Sequence, residues 1–342
     1  MVLLYLSRCV ADASRLLRDL DRRAAEVRSY CWAPSTWRTK ASQWKKYITF
    51  CALLLTPVVP TSVDTMCRFI VYLSDTLAFV TIDNYVSGVI SLNKYFGYEV
   101  AYIRRNFMFS TTLSGIRRML GDPAPVRLTL TLPNLLNMYY SVNLLDVNER
   151  AIWACIVTSF RSLLRKCNLV PSSQSDKAGH CLRRSAVQFM PWGVLLKVSS
   201  SKTIQYGQRT HLVPITVTPG SPLCAATCLA KHFCDVPSVS RDPPAFLLRR
   251  GDLTVPLTYS ILLKYLKRLL AAVGLDVPGA GPHSLRRAGA AFLHHCGVPL
   301  EDIRQTGDWA SLTALIYLAK PLSSRINLDK MVSDALLHGD RL

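Results

Sequence analysis

Gly281-Pro282-His283-Ser284-Leu285-Arg286-Arg287-Ala288-Gly289, followed by Gly307-Asp308-Trp309-Ala310-Ser311 and then Tyr317, is the stretch from which the rest of the sequence can be read. Pro282 suits the first position of a helix, where its missing N–H costs nothing. On such a helix His283 and Arg286, three residues apart, project from one face. An imidazole beside a guanidinium suits a phosphate, because Arg forks onto two oxygens and His exchanges a proton near neutral pH. Taken alone, the pair is a weak signal, because a His with an Arg three residues on is usually just a solvated helix start. Trp309 and Tyr317 are eight residues apart, close to two helical turns, so an indole and a phenol share a side if one helix carries both.

Composition limits what such a site can serve. The chain has 342 residues, of which 41 are Lys or Arg and 22 are Asp or Glu, a formal charge of +19. Half of the residues are hydrophobic, which is enough for two medium-sized cores and excludes a disordered basic tail. The best apolar run, Ile48 to Pro60, is broken by Thr56, Pro57 and Pro60, whereas a membrane helix needs about 20 apolar residues in succession. Met1 to Leu6 are apolar but too few for a signal-peptide core. Eleven scattered cysteines form no small-scaffold framework, which predicts free thiols in a reducing, intracellular compartment. The charge excess points to a polyanion, with nucleic acid foremost.

Periodicity predicts two domains: residues 1–120 all helical, a linker over 121–132 marked by Pro123 and Pro125, and residues 133–342 mixed. In the first, Ala11 to Val27 reads as an exposed amphipathic helix. A helix from about Trp37 to Leu55 is expected to pack through Trp37, Ala41, Trp44, Ile48 and Cys51. Further helices are predicted at Ser62 to Leu77, Ile82 to Phe96 and Thr111 to Leu120. Helices at Pro133 to Val142 and Asn148 to Lys166 open the second domain. Arg183 to Met190, Val194 to Ser199 and His211 to Val217 then read as a three-stranded antiparallel meander. Helices resume at Leu223 to Phe233, Tyr259 to Val273, His283 to His295, Leu300 to Gln305, Leu312 to Leu318 and Ile326 to Leu337. The fold class is thus mostly α with a small antiparallel sheet.

His283-Ser284-Leu285-Arg286-Arg287, then Gly297-Val298-Pro299-Leu300, then Gly307-Asp308-Trp309-Ala310-Ser311 and Tyr317, resemble the C-terminal half of a tyrosine recombinase. That family pairs a His-x-x-Arg with a later His or Trp and a nucleophilic Tyr, and it has an earlier Arg and a Lys between its second and third strands. Leu164-Arg165-Lys166-Cys167-Asn168-Leu169 matches the context of the earlier Arg, with Arg161 one turn before it as the fallback, and Ser201-Lys202-Thr203 supplies the Lys. The wording is nearest to recombinases of DIRS-type retrotransposons. Motifs cover about Asn148 to Leu318, and Ala33-Pro34-Ser35-Thr36-Trp37 with Trp44 resemble the family's helical core-binding domain more loosely. Two positions depart from the pattern: Asn168 stands where an acidic residue often follows the first Arg, and Asp308 stands where many integrases have His.

The resemblance implies a helical core-binding domain joined to a mixed α+β catalytic domain that cuts and rejoins double-stranded DNA. Tyr317 would attack the scissile phosphorus to give a 3′-phosphotyrosyl link. Arg165 and Arg286 would hold the non-bridging oxygens, Trp309 would donate its indole N–H there, Lys202 would protonate the leaving 5′ oxygen and His283 would assist proton transfer. No metal or cofactor enters these steps. The resemblance also implies tetramers on DNA, with Ile326 to Leu337 either bridging to a neighbouring subunit or capping its own domain. The eukaryotic element wording implies the nucleus. Arg38, Lys40, Lys45, Lys46, Arg104, Arg105, Arg117 and Arg118 of the helical domain are expected to include phosphate contacts. A non-catalytic DNA-binding descendant and an enzyme that relaxes DNA without synapsis are the alternatives. Cys224, Cys228, His232 and Cys234 mix zinc-ligand types, but the first three repeat every four residues, one stripe of a helix, where they are expected to pack. His294, His295 and Cys296 are expected to be a helix end.

Overall fold

The computed structural model describes residues 2–123, 128, 130–175, 180–238, 240–275, 279–309 and 330. They belong to two compact units, Met1–Pro125 and Val126–Leu342. The first unit is helical: α1 (Val2–Ser29), α2 (Pro34–Leu53), α3 (Val63–Ser74), α4 (Phe79–Tyr95), a 3-10 turn at Ala101–Arg105 and α5 (Phe107–Leu120). Pro34 opens α2, three residues before the predicted start, because a proline fits the first helical turn. Ser62 and Asn106 cap α3 and α5 by accepting from the N–H of Thr65 and Phe109. The packed face of α2 is Tyr47, Phe50 and Cys51, against Met66, Phe69, Ile70, Val86 and Val89. Ile48, expected on that face, is exposed. Trp44 is half-buried, donating its indole N–H to the Gly88 carbonyl at 2.9 Å.

The second unit is built around one buried helix. Its elements are α6 (Leu132–Tyr140), α7 (Val147–Ser162), α8 (Lys166–Leu169), a 3-10 turn at Arg184–Ala186, strands β1 (Val187–Met190), β2 (Gly193–Val198) and β3 (His211–Thr216), then α9 (Ala225–Asp235). They continue with β4 (Leu247–Arg250), β5 (Leu253–Pro256), α10 (Tyr259–Ala272), α11 (Pro282–His295) and α12 (Leu300–Thr306). Every residue of α7 from Ala151 to Phe160 is buried, as a helix enclosed by other elements requires. The sheet is β1-β2-β3, antiparallel throughout, with Val187 opposite Leu196 and Leu196 opposite Val213, so these side chains share the face turned to the core.

Several boundaries differ from the sequence reading for identifiable reasons. The expected meander is present, but Arg184–Ala186 is a 3-10 turn rather than the start of β1. The β4-β5 hairpin, which turns at Gly251, is absent from the sequence reading because its Arg249 and Arg250 hide the alternation. Leu128 and Leu130, in the stretch read as linker, are buried in the second unit's core. The helix read as Asn148 to Lys166 stops at Ser162, where Leu163 turns left-handed at φ +54°. The helices expected at Leu312 to Leu318 and Ile326 to Leu337 lie outside the described residues apart from Lys330, which is helical. No described helix is long and apolar enough to cross a membrane.

Helix α11 lies tight against α7. A Cβ at Gly289 would overlap the Phe160 carbonyl oxygen and the Leu163 side chain, so only glycine lets the two backbones approach this closely. Gly289→Ala is therefore expected to lower stability by about 2 kcal/mol or more, read as a fall in the thermal unfolding midpoint.

Candidate active site

The left-handed Leu163 ends α7 abruptly and sends the chain through Leu164 to Arg165, which precedes the single turn of α8. Arg165 is thus presented from a turn rather than from the long helix on which it was expected, and 21% of its side chain is exposed. Arg286 lies four residues past the first residue of α11, on the face that meets α7. Its guanidinium donates to the carbonyls of Leu163 and Gly307 and lies 4.0 Å from the centre of the Trp309 ring. With only 1% of Arg286 exposed, the charge is matched by carbonyl dipoles and an aromatic face.

Gly307-Asp308-Trp309 is the point on which these residues converge. The turn is tied to the end of α12 through the N–H groups of Gly307, Asp308 and Trp309, which donate to Ile303, Gln305 and Arg304. A Cβ at Gly307 would run into the Trp309 ring. Trp309 is 8% exposed, in a small apolar group with Leu163, Ala290 and Ile303. Asp308 adopts a left-handed φ of +54°, a conformation that Asp tolerates better than most residues.

The carboxylate of Asp308 is 8% exposed and densely solvated by protein. Arg165 donates to its main-chain oxygen at 3.0 Å and lies 3.5 Å from Oδ2. Ser201 donates to Oδ2 at 3.1 Å, Thr203 donates to the same oxygen, and Arg209 donates to Oδ1. Burial acts to raise the carboxyl pKa, but the donors Thr203, Arg209 and Ser201 outweigh it and hold the group below its ordinary value. Next to it, His211 donates from Nε2 to the Thr306 carbonyl at 3.0 Å, and burial pushes its pKa down.

Lys202 sits between the two hydroxyl donors. Ser201 and Ile204 exchange both backbone hydrogen bonds at 3.1 Å, which makes Lys202 and Thr203 the corner of a tight turn in the β2–β3 connection. Lys202 itself is exposed. The base of this connection is held by Asn168, which is 2% exposed and donates its amide to the Ser200 carbonyl at 2.7 Å. Asn168 therefore holds the loop, and the carboxylate partner of Arg165 is Asp308. His283 is exposed in the first turn of α11. Tyr317 lies outside the described residues.

Of the predicted site residues, Arg165, Lys202, Arg286 and Trp309 come from four separate segments to one turn. Asp308, Ser201 and Thr203, which the motifs contain without a role, also belong to this cluster, as do Arg209 and His211, which sequence reasoning does not place there. Two hydroxyls flanking Lys202 are the only local sign, and their partner is 105 residues away from Thr203. In the helical unit, Arg38, Lys45, Arg105 and Arg118 are exposed. Lys40 and Lys46 are half-buried, their Nζ atoms 4.4 Å and 5.9 Å from the ring centres of Trp32 and Tyr85. Arg104 is bound to Asp83 at 2.9 Å and Arg117 to Asp122 at 2.7 Å.

The cysteine stripe is engaged locally. Cys224 precedes α9 and its sulfur accepts from the Thr218 N–H at 3.1 Å, while His232 accepts from the Leu247 N–H at 3.3 Å and stacks on Phe246. No group of three or more metal-ligating side chains is found among the described residues.

The same arrangement of elements occurs in solved structures of tyrosine recombinases. The Tn1549 transposon integrase in complex with transposon right-end DNA superposes with a TM-score of 0.61 at 14% identity, covering 90% of this chain and 98% of that one. A lambda integrase dimer bound to a COC′ core site gives 0.56 at 15%, covering 87% and 93%. The XerH site-specific recombinase bound to palindromic difH substrate gives 0.54 at 16%, covering 80% and 72%. The chain has the tyrosine recombinase fold. In sequence it is similar to an integrase/recombinase XerD homologue of Selenomonas ruminantium, at 24% identity over 282 residues, 80% of this chain and 78% of the relative. No family model matches the chain.

Burial, with Arg184 nearby, pushes the His232 imidazole down to about 4. The unfolded chain binds this proton below about 6.5 and the folded one does not. Stability is thus whole above about pH 6.5 and falls as pH drops through about 4, by about 3 kcal/mol at most. Thermal midpoints across this range should show that slope, and it should flatten in His232→Gln.

Proposed function

We propose that this chain breaks and rejoins DNA as a site-specific tyrosine recombinase, and that it serves a mobile element in the nucleus, as the DIRS-type wording of its motifs suggests. The observation that carries this reading is the convergence of Arg165, Arg286 and the Lys202 turn on Gly307-Asp308-Trp309, four segments that share no local reason to meet.

A phosphodiester resists attack because its oxygens are negative and its leaving group is an alkoxide. In our reading Tyr317 attacks the phosphorus, the bond to the 5′ oxygen breaks, and that oxygen takes a proton from Nζ of Lys202. Arg165 and Arg286 meet the non-bridging oxygens, where charge grows in the transition state. Trp309 underlies Arg286 and contributes its indole N–H, and His283 receives the phenolic proton. The phosphotyrosyl ester conserves the bond energy, so rejoining needs no nucleotide cofactor. Double-stranded DNA is the substrate and a tetramer the working assembly.

The burial of Arg286 favours a second reading. A guanidinium that is 1% exposed, with two of its N–H donors on the carbonyls of Leu163 and Gly307, must become exposed to reach a phosphate. A chain in which it never does so would bind DNA without cutting it.

A nicked duplex that traps the cleaved state separates the two. The active enzyme forms an adduct that survives denaturant, Tyr317→Phe forms none, and Arg165→Ala slows its formation about 10²- to 10³-fold. Binding without an adduct supports the second reading. Either way, replacing Arg38, Lys45, Arg105 and Arg118 with Ala should weaken binding and flatten its salt dependence, by up to about 0.9 in log–log slope for each phosphate no longer neutralised. Arg104→Ala and Arg117→Ala should change it less, because Asp83 and Asp122 already neutralise them.

A further inference from the structure

The site contains a carboxylate that the reaction above does not use. Asp308 is a buried anion beside the place proposed for a phosphate, where it costs electrostatic energy unless it does something else. Its donors divide into two sets. Arg165 reaches it from the end of α7, mainly through the main-chain oxygen at 3.0 Å. Ser201, Thr203 and Arg209 all belong to the β2–β3 connection, and all three bind the carboxylate.

We infer that Asp308 is a positioning residue that clamps the Ser201–Ile204 turn, and with it Lys202, to Arg165 and to the separate turn that carries Trp309. The inference rests on the recombinase reading for the role of Lys202, whereas the clamp itself is a matter of structure. An exposed Lys on a long connection sweeps a large volume, and the proton it delivers must arrive within hydrogen-bond reach of one oxygen. Fixing the residues on both sides of Lys202 to one buried carboxylate confines its backbone while leaving its side chain in solvent. Asn168 holds the base of the same connection at Ser200. The amide anchors the loop's root and the carboxylate its tip.

This predicts a defect specific to protonation of the leaving group. Asp308→Asn keeps the main-chain acceptor for Arg165 but removes the charge and leaves a single side-chain acceptor, which cannot serve the two hydroxyls on one side and the Arg209 guanidinium on the other. Ser201→Ala combined with Thr203→Val cuts the same link from the loop side and leaves Asp308 with both arginines, so it serves if Asp308→Asn does not fold. The substrates are two nicked duplexes, one with the normal 5′ bridging oxygen and one with sulfur in its place. A thiol has a pKa of about 8.5, so a thiolate departs without a proton where an alkoxide does not.

With oxygen, both variants and Lys202→Ala should form adduct about 10²-fold slower than the parent chain. With sulfur, all three should come within about 10-fold of it. Hydrogen exchange on the DNA-free chain should quicken over residues 199–210 in both loop-clamp variants and stay unchanged in α7. Equal slowing on the two substrates would overturn the positioning role, and so would unchanged exchange over 199–210 whatever the activity. If the parent chain forms adduct on neither substrate, the recombinase reading fails, while exchange still decides whether the clamp exists.

Discussion

A guanidinium that is 1% exposed has to be surrounded by acceptors, and Arg286 obtains them from the end of α7 and from the turn after α12. Leaving such a charge unpaired costs about 3–5 kcal/mol, so three distant segments are bound to one geometry. Gly289 lets α11 approach α7 closely enough for Arg286 to reach the Leu163 carbonyl, and Leu163 exposes that carbonyl because its left-handed turn ends the helix. Gly307 offers the second acceptor and leaves room for the Trp309 ring beneath the guanidinium. Once this set is in place, Arg165 follows Leu163 by two residues and Asp308 precedes Trp309. The two therefore meet without any further device.

Much of this is legible in the sequence. The meander is visible in its alternation, α11 in Pro282 and the spacing behind it, and the site in motifs whose order is harder to obtain by chance than any one of them. What escapes a reading of the sequence is long-range. Nothing near Arg165 indicates that the helix stops three residues earlier, because a left-handed leucine leaves no mark in the sequence. The β4-β5 hairpin is hidden by two consecutive exposed arginines beside its turn. Asp308 reads as a departure from a pattern, although it is the carboxylate that several donors share, because those donors lie more than 90 residues away.

The large positive charge also resolves into parts. Arg286 is buried and Arg165 is bound to Asp308, so neither is part of the open surface charge. Arg104 and Arg117 are engaged by neighbouring carboxylates, and Lys40 and Lys46 lie against aromatic rings. What remains for a polyanion is the exposed fraction, including Arg38, Lys45, Arg105 and Arg118. Excess charge by itself specifies affinity for phosphates and nothing more, so the proposed chemistry rests on the few cations that the fold gathers at Gly307-Asp308-Trp309.

The central claim is that this turn organises a phosphoryl-transfer site whose nucleophile is Tyr317. Its most direct test is to digest the trapped protein–DNA product and locate the modified peptide by mass spectrometry. The account predicts one nucleotide-bearing peptide, linked through a 3′ phosphate to Tyr317. A nucleotide attached at any other residue, or through a 5′ phosphate, would contradict it.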